Sequence, residues 1–111
     1  MAWQASMQLL VEAYRVAAQL PEIERYGLAS QLRRSAVSIA ANIAEGFGRS
    51  ARGDYRRHLA IASGSLRELQ TLLEAVTLLD YLGEAATEAA ERASRRTAFL
   101  LHRLQRSLSA R

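Results

Sequence analysis

The chain has 111 residues, half of them hydrophobic, with one proline, six glycines and no cysteine. That suffices for one domain, residues 1–111, with its own core, and it excludes disulfides, thiol catalysis and zinc–thiolate sites. The net charge is +4, and all 15 basic residues are arginine, whose forked guanidinium suits carboxylates and phosphates; codon bias in a GC-rich genome would give the same composition.

In chain order, the first predicted helix runs from Trp3 to Leu20, with Trp3, Met7, Leu10, Tyr14 and Ala17 as its inward face. Pro21 ends it or starts a new turn, and "PEIERYG" follows. The second helix runs from Leu28 to Phe47, with an apolar stripe of Leu28, Leu32, Ala36, Ile39, Ile43 and Phe47. Gly46 or Gly48 is expected in the left-handed conformation that ends helices, and Ser50 caps the next. The third helix runs from Ser50 to Tyr81. Tyr55, Leu59, Ala62, Leu66, Leu69, Leu73 and Val76 form one stripe, with Ile61, Leu72 and Leu79 beside it. That arc spans roughly 160°, wider than a surface helix needs, so a second packing partner is expected. Gly83 breaks the chain before a fourth helix, Glu84 to Leu108. There Ala90, Ala93, Thr97, Leu100, Leu101, Leu104 and Leu108 face inward. No strand alternation appears, and short turns between long helices favour an all-α, antiparallel up-down four-helix bundle.

No apolar run approaches the roughly 20 residues needed to cross a bilayer, and the first residues lack a secretory pattern. A cytoplasmic protein without membrane contact is expected.

The second helix also carries a polar stripe. Gln31, Arg34, Ser35, Ser38, Asn42 and Glu45 fall within about 100°, flanked by Leu and Ile on one side and by Val37, Ala40, Ala41 and Ala44 on the other. A stripe so bordered is half-buried. The third helix carries "SGSLRE", Ser63 to Glu68, whose small residues allow close approach. An antiparallel pairing brings Glu68 toward Arg34, and Ser65 toward Ser38 or Asn42. A structural polar network of Arg34, Ser38, Asn42, Glu45, Ser65 and Glu68 is therefore expected, fixing the register of the two helices. The alternative is an acid–base pair of Glu45 and Glu68. It lacks a nucleophile–base set and a second metal ligand, so no catalytic residue is assigned. His58 and His102 read as ordinary histidines. No metal site and no cofactor are assigned.

"QLRRSAVSIAANIAEGFGR" and "YRRHLAIASGSLRELQTLL" resemble the two signature segments of the bacterial four-helix-bundle proteins encoded in intervening sequences of large-subunit rRNA genes. That family includes the accessory variability proteins of diversity-generating retroelements. The resemblance extends to about residue 105. It implies a cytoplasmic bundle, assembly into a ring-like homo-oligomer, a homopentamer in relatives, and no established enzymatic activity. Its retroelement members work beside a reverse transcriptase and its RNA or DNA.

Two arginine groups are candidates for nucleic-acid contact. Arg49, Arg52, Arg56 and Arg67, with Arg57 nearby, fall within about 60° on the continued third helix. Arg92, Arg95, Arg96, Arg103 and Arg106 lie opposite the apolar face of the fourth. No acid follows Glu91, while Arg92 through Arg111 carry six arginines. Arginines on one face can follow a phosphate chain without reading sequence; the bland alternative is a solvated face. Phe99, within that face, suits either a subunit interface or base stacking. The "GFGRSARG" turn lacks the phosphate-loop pattern. The function expected is a non-enzymatic, homo-oligomeric nucleic-acid-binding accessory protein. The rival is a structural or protein-interaction module with no nucleic-acid role.

Overall fold

Long alanine- and leucine-rich segments with few breakers become helices. The structure, a computed structural model, describes residues 1–109. It contains α1 (Ala2–Gln19), a short 3-10 turn (Glu22–Glu24), α2 (Leu28–Phe47), α3 (Arg52–Leu78) and α4 (Glu84–Ser109), with no strand among the described residues. Arg111 lies outside them.

Local chemistry sets the boundaries. Leu20, ahead of Pro21, is extended at ψ 152°, as the proline ring demands of its predecessor, so α1 stops at Gln19. The Glu24 carboxylate then accepts the Leu28 N–H at 2.9 Å, satisfying a free donor in the first turn of α2. Its other oxygen accepts the Tyr81 hydroxyl at 2.8 Å. One side chain thus ties the α1–α2 connection to the α3–α4 turn.

Three boundary expectations are corrected. Neither Gly46 nor Gly48 is left-handed: Gly48 sits at φ −80°, ψ −5°, and Asp80 is the described residue with positive φ, at 59°. Gly46 is instead a close-approach glycine, since a Cβ there would lie 2.9 Å from the Tyr55 ring. The cap of α3 is Ala51, without a side-chain hydrogen bond, so Ser50 does not cap it. Finally, α3 spans Arg52–Leu78 rather than Ser50 to Tyr81, because the left-handed Asp80 turns the chain first.

Each helix packs on two neighbours. α2 lies against α1 and α3, and α4 against α3 and α1, in a body 45 × 23 × 19 Å. Across α2 and α3, Ser38 meets Ser65 while Asn42 meets His58. Across α3 and α4, Arg52 meets Leu108 while Gln70 meets Ser94. Residue numbers therefore rise along one helix as they fall along its neighbour.

The core is one cluster. Leu32, Ile39 and Ile43 of α2, Leu59, Leu69, Leu73 and Val76 of α3, and Leu101 of α4 are essentially inaccessible. Phe47, Ile61 and Leu79, expected in or beside the apolar stripes, stay exposed. The largest difference is in α1. Its buried residues are Ala2, Ala5, Ser6, Leu9, Ala13, Val16 and Ala17. Trp3, Met7 and Tyr14, expected inside, remain 39, 37 and 41% exposed. The smaller face is turned inward, which lets α1 approach α2 and α4 closely.

Candidate functional site

The polar residues of α2 divide into two sets. Ser38 Oγ lies 2.7 Å from Ser65 Oγ. The Asn42 amide nitrogen donates to the Ser38 carbonyl at 2.9 Å and to its hydroxyl at 3.3 Å. That orientation leaves Asn42 Oδ1 facing His58 Nδ1, 2.9 Å away. Oδ1 only accepts, so Nδ1 donates. Nε2 is buried without a hydrogen-bond partner among the described residues. The result is a hydrogen-bonded chain, Ser65–Ser38–Asn42–His58, across the seam of α2 and α3.

Arg34, Glu45 and Glu68 are outside that chain. Glu45 points outward and pairs with Arg49 at 2.7 Å, the two side chains 56 and 41% exposed. Arg34 and Glu68 are both exposed, and no ion pair joins them among the described residues. Nor do Glu45 and Glu68 approach each other. With Ser38 level with Ser65, Glu68 is level with Arg34, eleven residues from Glu45, roughly 16 Å along the helix. His58 is the residue that the sequence pattern alone does not single out. Its signal is nonetheless present: it precedes Ser65 by seven residues, two helical turns on the same face. A Cβ on Gly64, beside Ser65, would meet nothing within 4 Å, so close approach is confined to the Ser65 side.

The arginines also regroup. Arg52 Nη1 donates to the Leu108 carbonyl at 3.0 Å, satisfying an acceptor in the last turn of α4. This contact brings the start of α3 and the end of α4 together, so Arg49, Arg52, Arg56, Arg57, Arg103 and Arg106 share one end of the molecule. Their neutralising partners are few: Glu45 on Arg49, and Asp54 at 3.9 Å from Arg57. Arg103 lies over the Phe99 ring, 5.7 Å from its centroid. Arg56 and Arg106 have no carboxylate within 4 Å among the described residues.

Arg92, Arg95 and Arg96 are elsewhere. Arg92 is eleven residues before Arg103, roughly 16 Å along α4, and 3.8 Å from Glu88. Arg95 lines a groove between α3 and α4 with Glu74, Glu84, Glu88 and Glu91. Arg96 faces α1 in a second groove with Glu12 and Arg15. Charge is thus segregated along the bundle: arginines dominate one end, and acids the α3–α4 groove toward the other.

Between the basic end and α1 lies a small hollow lined by Met1, Ala2, Phe47, Leu100, Arg103 and Leu104. Phe47, 54% exposed, leans on Tyr55 with ring centroids 5.7 Å apart. Burial raises the Tyr55 hydroxyl pKa above the ordinary value. Among the described residues no three His, Cys, Asp or Glu side chains gather as a metal site. Among the described residues no helix is long and apolar enough to cross a membrane.

The model of the 23S rRNA-intervening sequence protein family matches residues 1–103. Among solved structures, the chain is similar to a crystal structure of a protein of unknown function from the S23 ribosomal protein family of Bacteroides thetaiotaomicron VPI-5482. The match has a TM-score of 0.86 and 24% identity, over 95% of this chain and 98% of that one; it shows a shared fold. No curated protein matches the chain.

Proposed function

The chain belongs to the 23S rRNA-intervening sequence protein family, and within it we propose a non-enzymatic, self-assembling bundle that holds nucleic acid by its phosphates. The observation that carries this reading is the basic end. Five arginines of α3 and α4, with Arg49 of the α2–α3 connection, share that end, which is tied by the Arg52–Leu108 hydrogen bond and holds two acids to offset them. Such a cluster attracts a polyanion and reads no base edge.

The proposal includes an antiparallel up-down arrangement, supported by the opposed residue pairings of α2 with α3 and α3 with α4. It includes self-assembly into a ring, a pentamer by family resemblance. Support for assembly is the exposed stripe of Trp3, Met7, Val11 and Tyr14 on α1, recurring every three or four residues on a helix with no covering partner there. Repeating the basic end around a ring multiplies its field. A cytoplasmic location beside RNA or DNA, and beside a protein such as a reverse transcriptase, completes the reading. Catalysis is left out because Glu45 and Glu68 lie far apart, each on the surface.

The test is binding of nucleic-acid-free protein to labelled structured RNA and duplex DNA across a salt series. Affinity should fall steeply with salt. Arg56→Gln, Arg103→Gln and Arg106→Gln should weaken it and flatten the salt slope, each more than Arg92→Gln or Arg95→Gln. No binding at low salt would overturn the proposal in favour of a protein-interaction module.

A further inference from the structure

We infer that the hollow at the basic end receives an unstacked base of a single-stranded nucleic acid. The inference rests on the phosphate-binding reading and adds a substrate class to it. Its lining is mostly apolar, from Met1, Ala2, Phe47, Leu100 and Leu104, with Arg103 as the charged side chain. The hollow measures about 230 Å³, below the ~300–1,000 Å³ typical of pockets for drug-sized ligands, so its occupant is a small planar fragment or one part of a longer chain.

One aromatic ring, Phe47, lines the site while 54% exposed. Outside the lining, Phe99, 61% exposed, lies 5.7 Å from the Arg103 guanidinium. Arg103 is thereby offered as a planar cation beside an apolar slot, a surface on which bases stack. Leu104 is one helical turn before Leu108, whose carbonyl binds Arg52. A base in the hollow therefore leaves its own backbone phosphates among the arginines of α3 and α4.

Charge selects this occupant over a symmetric contact with a second copy of the chain, and the assembly mass tests a head-to-tail one. Two copies meeting symmetrically at this end would set one arginine cluster against another, and like charges at close range repel. A strand brings a π-face for the apolar slot and phosphates for the rim. A duplex, with its bases stacked and paired, cannot enter without unstacking.

The experiment compares a labelled oligothymidylate, an abasic strand of the same length and charge, and a duplex, at one salt concentration with the full chain. The base-bearing strand should bind at least roughly fivefold more tightly than the abasic strand, the lower bound for one stacked base. Phe47→Ala, checked for folding by circular dichroism, should bring the ratio toward one. The strand comparison needs no variant, so misfolding of Phe47→Ala would not remove the test. Equal binding of both strands overturns the hollow and leaves phosphate binding intact; no binding of any strand overturns both. Thymidine monophosphate binding as tightly as the strand would overturn the strand as occupant. A change in assembly mass in Phe47→Ala, with the base preference intact, would assign the hollow to another copy and overturn the inference.

Discussion

Gly46 and Gly64 are both helical glycines, and replacing each by alanine separates packing from propensity. Alanine favours a helix interior over glycine by about 1 kcal/mol. At Gly64 a Cβ meets nothing within 4 Å, so Gly64→Ala should realise that gain. At Gly46 a Cβ would sit 2.9 and 3.1 Å from two Tyr55 ring atoms and 3.5 Å from the His58 Cβ. Tyr55 is itself braced on Phe47, so its ring cannot swing away without losing that contact. Overpacking of this kind costs about 1–3 kcal/mol. The propensity gain at Gly46, the penultimate residue of α2, is no larger than at Gly64 in mid-helix, so it does not offset the clash in their difference. Gly46→Ala should therefore be about 1–3 kcal/mol less stable than Gly64→Ala. At about 4–8 °C per kcal/mol for a domain near this size, the melting temperatures should differ by at least about 4 °C. The assay is thermal and urea unfolding of both variants at one protomer concentration, because assembly makes stability depend on concentration. If Gly46→Ala melts at or above Gly64→Ala, the close-approach account of Gly46 is wrong.

Asn42→Ala should cost about 1–3 kcal/mol, because it leaves His58 Nδ1 buried without its acceptor; Glu45→Ala should stay within about 0.5 kcal/mol, an exposed pair contributing little, and urea titration compares them. Glu24 has a lowered pKa, first through the Leu28 N–H and then through the Tyr81 hydroxyl. Its contribution is present above the ordinary glutamate pKa of about 4.3 and lost as pH falls through the lowered folded value. Tyr81 is raised, first by its hydrogen bond to Glu24, so its contribution is present below about pH 10 and lost as pH rises through the folded value. The stability difference between the parent chain and Glu24→Gln should accordingly be largest near neutrality and shrink toward both extremes; a flat difference would refute the clasp. Arg52→Ala should cost about 1 kcal/mol and speed amide hydrogen exchange in the last turn of α4, with the start of α2 unchanged. Glutamates at Met7 and Tyr14 together should reduce the assembly mass in sedimentation while far-UV circular dichroism stays helical; an unchanged mass would remove the α1 stripe from the interface.

The four helices are legible in the sequence because each carries a long period-3.6 pattern between clear breakers, and α2, α3 and α4 show their buried stripes directly. The polar chain is half legible. Ser38, Asn42 and Ser65 are bordered by apolar or small residues rather than charged ones, and pairing antiparallel helices brings them level. Glu45 differs from expectation because it shares the arc with Asn42 but lies nearer the end of α2, where a flexible side chain reaches solvent and Arg49. His58 escapes notice because one histidine in a basic, polar stretch resembles a surface residue until Asn42 is known to oppose it. The joining of the two arginine groups is illegible for a different reason. It depends on Arg52 reaching a carbonyl 56 positions later, and backbone acceptors leave no trace in side-chain pattern.

The reversal of α1 is informative about the molecule. Periodicity identifies an apolar face but does not choose between two of them, and α1 has two. One is built mainly of Ala and Ser with Leu9 and Val16; the other holds Trp3, Met7, Val11 and Tyr14, while Leu10, expected inside, does pack against the core. Size breaks the tie in favour of the small face, because α1 must fit between α2 and α4, and α2 opposes it with alanines such as Ala29 and Ala40. A purely solvated outer face would have no need of a tryptophan, a tyrosine and a methionine at helical spacing. The neighbouring surface of α2 continues the pattern. Arg33 lines the α1–α2 seam with Ala17 and Ala18, and one turn later Val37 is 44% exposed. On the assembly proposal, these two helices present one continuous apolar face to the next subunit.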